Sequence, residues 1–358
     1  MKLIVSAPGR LCLFGEHMDW CGYSVIPAAI EMRSFLYAET SNDECVETRS
    51  YPPFTTYDKF SISSFNPIEG GDLRYIRGVV KASLLKGYAL RGLRLTFLRA
   101  EDVSCFTKRS GYVDLPVKKG LSSSAAICVC VAGIIYLTTK GFPNDVRDSE
   151  FLTELADLAY VGERKVLGIN CGQMDQYAAA FGSLLYIDCS VEPAKVHPLK
   201  PRVKLPLVIG DTMQSKDTPR ILAWLGERFR KREPLFIEGM RNIVRIVEEA
   251  KDELNKSTPS RERVGELMNE NQYYLKYYLR VSGDCPISPN KLDKLIEAAL
   301  SAGAIGAKLS GSGGGGCMVA LCEPGDEEVV AKAIEKAGGK AYITQVSEVG
   351  FKIEYIKG

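Results

Sequence analysis

The sequence predicts an α+β protein with two domains. Its 358 residues exceed the size at which a single compact core usually stops growing. Helical and strand-like patterns are mixed along the chain, without the strict strand–helix alternation of a doubly wound parallel sheet. Residues 194–206 are rich in proline and lysine and lack apolar periodicity, which is typical of a domain boundary. We therefore predict an N-terminal domain over residues 1–195 and a C-terminal domain over residues 196–358.

The N-terminal half opens with short apolar runs separated by proline, glycine and polar residues, a pattern that predicts strands. These runs are residues 3–7, 11–15, 25–30 and 34–40. Apolar residues then recur at helical spacing from Asp72 to Lys86, and residues 92–98 alternate as a strand does. The same patterns predict helices at residues 122–137, 150–166 and 174–182, and a strand at residues 184–189.

The C-terminal half begins with a strand at residues 207–210, after which the sequence becomes charged and helical. Apolar periodicity predicts helices within residues 219–254, 261–279, 289–302 and 326–337. Strands are expected on both sides of a glycine run and near the C-terminus, at residues 304–310, 317–322, 341–345 and 350–355.

The charge and cysteine content exclude several classes of function. Lys and Arg total 46 against 44 Asp and Glu, a net charge of +2 that gives no electrostatic reason to expect nucleic acid or an anionic membrane as partner. No apolar run reaches the roughly 18–20 residues of a membrane span, and the first ten residues do not have the pattern of a signal peptide. The 11 cysteines are scattered without a CxxC pair, which favours free thiols in a reducing compartment. We therefore predict a cytoplasmic protein.

A glycine and three serines stand directly before an alanine-rich helix in the stretch PVKKGLSSSAAICVCVAGI, residues 116–134. The first turn of a helix offers unpaired N–H groups and the positive end of the helix dipole, both of which attract phosphate. Gly120 permits a close approach of the backbone, and Ser123 and Ser124 offer hydroxyls to phosphate or to Mg²⁺. The alternative interpretation, that these serines only cap the helix, stays open on this stretch alone.

The stretch KLSGSGGGGCMVAL, residues 308–321, formally matches G-x-G-x-x-G. A dinucleotide-binding fingerprint requires a helix directly after the glycines, whereas a strand pattern follows here. The stretch is not a Walker A loop either, because no Gly-Lys-Ser/Thr ends it. Strand patterns on both sides favour a tight turn whose bare backbone can cover a ligand, over the alternative of a flexible linker.

Two further stretches place acidic residues beside apolar runs. GEHMDW, residues 15–20, brings two carboxylates and a histidine to the end of an expected core strand. In GERKVLGINCGQMDQYAAAFG, residues 162–182, Asp175 stands at the start of a short helix after a glycine-containing loop. Alone, Asp175 would be interpreted as an acid that stabilises the helix N-terminus, and Glu163 as a solvated charge.

Taken together, these stretches resemble the motifs of the GHMP kinases, the superfamily that includes galactokinase and mevalonate kinase. The resemblance is carried in order by APGRLCLFGEH, GLSSSAA and KLSGSGGGG and spans nearly the whole chain. PGRLCLFGEHMDW and CGQMDQ are most similar to galactokinases. The resemblance implies an N-terminal α+β domain with a left-handed βαβ crossover and a ferredoxin-like C-terminal domain with added helices. It also implies an active site in the cleft between them.

The resemblance also implies roles for individual residues. Asp175 is expected to be catalytic, with Arg10 as its basic partner. The acceptor is expected to contact Asp175 together with Glu16, His17, Asp19 and Gly172. ATP is expected to contact Lys119, Gly120, Leu121, Ser122, Ser123, Ser124, Ala125, Gly313 and Gly314. Mg²⁺ is expected to bind Ser124 and Glu163, since hydroxyl and carboxylate oxygens beside nucleotide phosphates suit this ion.

The sequence also departs from the galactokinase pattern. The glycine run and residues 268–282 look more like mevalonate kinase, and residues 207–220 lack the segment usual in galactokinases. Against mevalonate stand Arg10 and Asp19, where mevalonate kinases typically carry lysine and an apolar residue. We therefore expect an ATP- and Mg²⁺-dependent kinase of a sugar hydroxyl, the anomeric one as in galactokinases. The alternatives are a mevalonate kinase and a sugar-responsive regulator without turnover.

Overall fold

A computed structural model describes residues 1–50, 55–117, 119–279 and 287–357. Its strands, in chain order, are β1 Lys2–Phe14, β2 Ile26–Ser41, β3 Cys45–Ser50, β4 Thr56–Ser61, β5 Gly92–Leu98, β6 Val113–Asp114, β7 Leu184–Asp188, β8 Lys195–Leu199, β9 Leu207–Asp211, β10 Gly306–Ser310, β11 Cys317–Leu321, β12 Lys340–Thr344 and β13 Lys352–Lys357. Its helices are α1 Arg74–Leu85, α2 Ala100–Thr107, α3 Ser123–Thr139, α4 Ser149–Tyr160, α5 Met174–Phe181, α6 Thr218–Arg230, α7 Pro234–Leu254, α8 Arg261–Tyr277, α9 Asn290–Ser301 and α10 Glu327–Lys336.

The larger sheet has the order β13-β1-β2-β5-β3-β4, with β6, β7 and β8 attached beside β2 and β7. The sequence predicts four strands near the N-terminus of the chain, but the structure has two, because β1 and β2 each continue through a predicted break. The pairing of β1 with β2 shifts register between Pro8 and Arg10, and such an irregularity accommodates a proline within a strand. β3 and β5 are parallel, and β4 and α1 connect them, as expected for the βαβ crossover.

Five of the helices and strands of this half were not predicted from the sequence, namely β3, β4, α2, β6 and β8. Of these, β8 lies within the proline- and lysine-rich stretch and pairs with β7. The last strand of the chain, β13, also joins this sheet by pairing with β1. The division of the chain at residue 195 stays a prediction.

The smaller sheet has the order β10-β11-β9-β12, and all of its neighbouring strands are antiparallel. With α10 between β11 and β12, this order is the ferredoxin-like arrangement, and helices α6 to α9 are added between β9 and β10. The helical region expected at 219–254 is divided into α6 and α7, because Pro234 begins a new helix after a short turn. The predicted fold class is confirmed.

Helix α3 forms the centre of the N-terminal core. Its residues are apolar on every side, and it packs against β1, β2, α1, α4 and α5. This packing fixes the helix so that its first turn opens into a cleft. In the part of the chain that the structure describes, no helix combines the length and apolarity that crossing a bilayer demands.

Candidate active site

A cleft of about 1040 Å³ brings together the stretches singled out in the sequence. Its walls come from the end of β1, the loop before α3, the loop before α5 and the turn between β10 and β11. The predicted site residues that line it are Arg10, Glu16, His17, Asp19, Gly120, Ser122, Ser123, Ser124, Glu163, Gly172 and Asp175. The chain thus places one carboxylate cluster and one phosphate-type loop in a shared crevice.

Arg10 connects the predicted catalytic carboxylate to the phosphate-type loop. Its side chain is buried, and its Nε donates to Asp175 Oδ1 over 2.7 Å while its Nη1 donates to the Gly120 carbonyl over 3.0 Å. Burial disfavours the charged guanidinium, but the Asp175 carboxylate more than offsets this and raises the pKa of Arg10. Arg10 therefore stays cationic and orients Asp175, which lies in the first turn of α5.

His17 is held in one tautomer by its neighbour. The Trp20 indole N–H donates to His17 Nδ1 over 3.3 Å, so the ring proton of a neutral His17 sits on Nε2. Burial lowers the pKa of His17 to about 4, which keeps the ring neutral near pH 7. The Nε2 atom is buried and makes no hydrogen bond of standard geometry with the described residues, although the Ser312 backbone interacts with the ring and partly opposes the lowering of its pKa. His17 is therefore a preset donor at the cleft wall.

Asp19 lies beside the predicted catalytic residue. Burial and the nearby charge of Asp175 raise the pKa of Asp19 to about 6. Its Oδ2 accepts a hydrogen bond from the Met174 backbone over 3.4 Å. A Cβ at position 172 would lie 2.1 Å from the same oxygen, so only glycine fits at Gly172. Two carboxylates therefore face the same end of the cleft.

Glu16 has a structural contact that the sequence did not reveal. Its Oε1 accepts a hydrogen bond from Lys308 Nζ, and both side chains are fully buried. The other carboxylate oxygen, Oε2, is buried without a hydrogen-bond partner among the described residues. Glu16 therefore joins β1 to β10, and its role as an acceptor ligand stays a prediction.

The loop before α3, which the sequence predicts to bind phosphate, turns sharply into the helix. Gly120 and Ser122 both adopt positive φ angles, 83° and 67°, which turn the backbone into the first turn of the helix. The Ser122 hydroxyl is buried, makes no capping hydrogen bond and has no partner among the described residues. A purely capping role for Ser122 is therefore not what the structure shows.

Several residues predicted to contact ATP do not line the cleft. The Lys119 ammonium lies 3.0 Å from the buried Asp211 carboxylate, and the Leu121 and Ala125 side chains are buried in the core. In the glycine turn, a Cβ at Gly313 would lie 2.4 Å from the Ile287 carbonyl, and one at Gly314 would lie 2.2 Å from Ile221 Cδ1. The cleft is lined instead by Gly311 and Ser312.

Ser124 and Glu163, the predicted Mg²⁺ ligands, contact each other. Glu163 sits in a π-helical turn, residues Val161–Val166, that continues α4, and its carboxylate accepts hydrogen bonds from Ser124 and Gln176. Burial raises the pKa of Glu163 to about 7. This turn can approach α1 closely because Gly162 meets Gly78, where either Cβ would lie 2.9 Å from backbone of the other element.

Trp20 and Lys216 are among the site residues that sequence reasoning missed. Trp20 lines the cleft and orients His17. Lys216, from the loop between β9 and α6, enters the cleft and donates to Ser312 Oγ over 2.9 Å. The available signal was the pattern SKDTP after a core strand, in which Asp217 caps α6 by accepting from the Arg220 backbone.

Two domain signatures and one binding signature match this chain. "GHMP kinases N terminal domain" matches residues 84–183, "GHMP kinases C terminal" matches residues 236–340, and "Galactokinase galactose-binding signature" matches residues 2–39. A mevalonate kinase of Pyrococcus furiosus is 31% identical over 99% of both chains. A galactokinase of Roseiflexus is 29% identical over 97% of this chain and 92% of its own. The chain therefore belongs to the GHMP kinase family.

Solved structures share the fold. The Methanococcus jannaschii mevalonate kinase superposes with a TM-score of 0.74 at 21% identity, covering 97% of this chain and 99% of its own. The Lactococcus lactis galactokinase complexed with galactose gives 0.72 at 22% identity, covering 98% and 95%. Kinases of this family are ATP-dependent phosphotransferases with alcohol acceptors. The relatives of this chain include kinases named for two different acceptors, mevalonate and galactose.

Proposed function

We propose that the protein is a galactokinase-like sugar kinase that transfers the γ-phosphate of ATP to a sugar hydroxyl, the anomeric one. The observation that supports this best is the pair of carboxylates, Asp19 and Asp175, beside the neutral donor His17. Carboxylates accept hydrogen bonds from the hydroxyls of a polyol. An acceptor that carries its own carboxylate would face two like charges here, which is unfavourable in a partly desolvated cleft.

In this proposal, Asp175 takes the proton of the acceptor hydroxyl, whose oxygen forms a bond to the γ-phosphorus. The bond between that phosphorus and the β,γ-bridging oxygen breaks, and ADP leaves with the negative charge. Arg10 keeps Asp175 oriented and supplies positive charge beside Gly120. The N–H groups of the first turn of α3 stabilise the phosphates.

Ser124 and Glu163 fit the Mg²⁺ that such a reaction uses. A buried carboxylate in contact with a hydroxyl is a hard-oxygen donor pair, and the raised pKa of Glu163 marks a charge that burial leaves poorly stabilised. Among the described residues, no group of three or more His, Cys, Asp or Glu could hold a metal, so the phosphates and water would complete the shell. When bound, Mg²⁺ neutralises phosphate charge.

The second candidate is mevalonate kinase. Relatives with that name share 31% identity with this chain over nearly its whole length, which is more than the galactokinase relatives share. The third candidate is a sugar-responsive regulator without turnover. The complete phosphate loop and the Arg10–Asp175 contact favour turnover.

An acceptor panel tests the proposal. The purified protein is incubated with ATP, Mg²⁺ and either galactose, other hexoses, pentoses or mevalonate, and ADP release is measured with ³¹P NMR of the product. We expect a sugar to give ADP and a phosphoester at the anomeric position. Turnover of mevalonate but no sugar would establish the second candidate, and partner binding that needs sugar without ADP release would establish a regulator.

A further inference from the structure

Lys216 lies at the junction of the phosphate-type loop and the glycine turn. Its ammonium donates to Ser312 Oγ over 2.9 Å. A Cβ built on Gly120 would lie 2.8 Å from Lys216 Nζ, and one built on Gly316 would lie 3.2 Å from it. The ammonium therefore lies close to the backbone of both glycine segments, and the Gly120 carbonyl also accepts a hydrogen bond from Arg10.

The charge of Lys216 has no carboxylate within ion-pair distance among the described residues. The ammonium donates to a neutral hydroxyl, that of Ser312, and Thr218 Oγ1 lies 3.2 Å from that same hydroxyl. Burial and the neighbouring Arg10 charge lower the pKa of Lys216 to about 8, while Cys317 and Asp175 act in the opposite direction. Lys119, by contrast, is neutralised by Asp211 at 3.0 Å. An uncompensated, half-buried ammonium favours an anion beside it.

The surroundings of Lys216 identify the anion. The first turn of α3 and Gly120 form a phosphate cradle, and Arg10 and Asp175 mark where the phosphoryl group is transferred. We propose that Lys216 binds the terminal phosphate of ATP, whereas the sequence had predicted Lys119 as the lysine that contacts ATP. This inference rests on the proposed transfer from ATP in the same cleft, but it does not depend on which acceptor is used.

Nucleotide titration tests this inference without an acceptor. Lys216→Met keeps the length of the side chain and removes the charge, and dissociation constants are measured by calorimetry with Mg²⁺ for ADP and for a non-hydrolysable ATP analogue. We expect the analogue to bind about 10- to 100-fold more weakly, as the loss of a charged hydrogen bond implies, and ADP to bind within about 3-fold of wild type. Lys216→Arg keeps the charge and should retain most of the wild-type difference in affinity between ADP and the ATP analogue.

Two comparisons complete the test. Lys231→Met removes an exposed lysine that pairs with Glu227 on α6, and it should leave both affinities unchanged. If Lys119→Met rather than Lys216→Met weakens the analogue selectively, Lys119 binds the terminal phosphate and our inference is overturned. The same holds if Lys216→Met leaves both nucleotide affinities intact and raises only the KM of the acceptor. A failed acceptor panel would leave these titrations fully interpretable.

Discussion

Arg10 holds the carboxylate of Asp175 in place. The Arg10 guanidinium binds one carboxylate oxygen at 2.7 Å, and α5 holds the residue in its first turn. Asp175→Asn keeps the shape of the side chain but cannot take a proton. We expect kcat to fall by about 10²- to 10⁴-fold, with ATP affinity close to wild type, as measured by ADP release and calorimetry. Retained turnover would remove Asp175 from the mechanism.

The tautomer of His17 is a second property decided by one residue. Trp20→Phe keeps an aromatic ring against Phe229 but removes the N–H that fixes Nε2 as the donor. We expect the KM of the acceptor to rise by about 2- to 10-fold, the value of one neutral hydrogen bond, with little change in kcat. The matched control is Trp224→Phe, the other tryptophan of the chain, which stacks on Arg220. Equal effects of both variants would contradict an orienting role.

Asp19 and Asp175, the two carboxylates expected to contact the acceptor, predict that kcat/KM for the acceptor depends on pH. Because burial and Asp175 raise the pKa of Asp19 to about 6, this group is ionised above that pH and becomes protonated below it. A protonated Asp19 loses its strength as a hydrogen-bond acceptor. We therefore expect kcat/KM for the acceptor to fall about tenfold per pH unit below pH 6. In Asp19→Asn this acidic limb should disappear; an unchanged limb would assign it to another group.

At the scale of elements, the contact between α1 and the π-helical turn decides where Glu163 lies. Gly78 and Gly162 let the two backbones touch, and a Cβ at Gly78 would lie 2.9 Å from the Gly162 carbonyl. We expect Gly78→Ala to lower the free energy of unfolding by about 2 kcal/mol through overpacking, measured in urea. It should also raise the Mg²⁺ concentration needed for half-maximal activity, because Glu163 is displaced.

The matched control for this contact is Gly226→Ala on α6. Among the described residues, a Cβ there meets only Asn170 Nδ2, at 4.0 Å, so stability should not fall and the Mg²⁺ concentration needed for half-maximal activity should not rise. Wild-type values for Gly78→Ala would show that the glycine contact does not position Glu163.

Element identity itself was well predicted where a pattern was local. Helix α1 follows from apolar periodicity, α3 from its alanine-rich apolar run, and the end of α5 at Gly182 from its glycine. β8 could not be predicted in the same way, because His197 and Pro198 give no strand pattern and only pairing with β7 makes the segment a strand.

At the scale of the whole molecule, buried polar contacts join the two sheets. Glu16 pairs with Lys308, the Cys12 backbone donates to Ser310 Oγ over 3.0 Å, and the Gly15 backbone donates to Asn271 Oδ1 over 3.2 Å. These contacts fix the end of β1 against β10 and α8. The walls of the cleft therefore keep their spacing through a buried ion pair.

A double-variant cycle tests this pair. Glu16→Leu or Lys308→Met alone leaves one buried charge without its partner, and we expect each to cost about 3–5 kcal/mol of unfolding free energy in urea. The double variant removes both charges and should cost much less than the sum of the two. Additive costs would show that the ion pair does not couple the two strands.

The sequence by itself determined the family, the fold class and the chemical types at the site, because these depend on local motifs and their order. Arg10, Asp19, Ser124, Glu163 and Asp175 were all identifiable from such motifs. The tertiary structure decided which of them meet, since contacts such as Arg10–Asp175 join residues 165 positions apart. It also decided which lysine is neutralised and which is free of a carboxylate partner among the described residues. The reason is physical: the charge state and reach of a side chain depend on neighbours that only folding brings together.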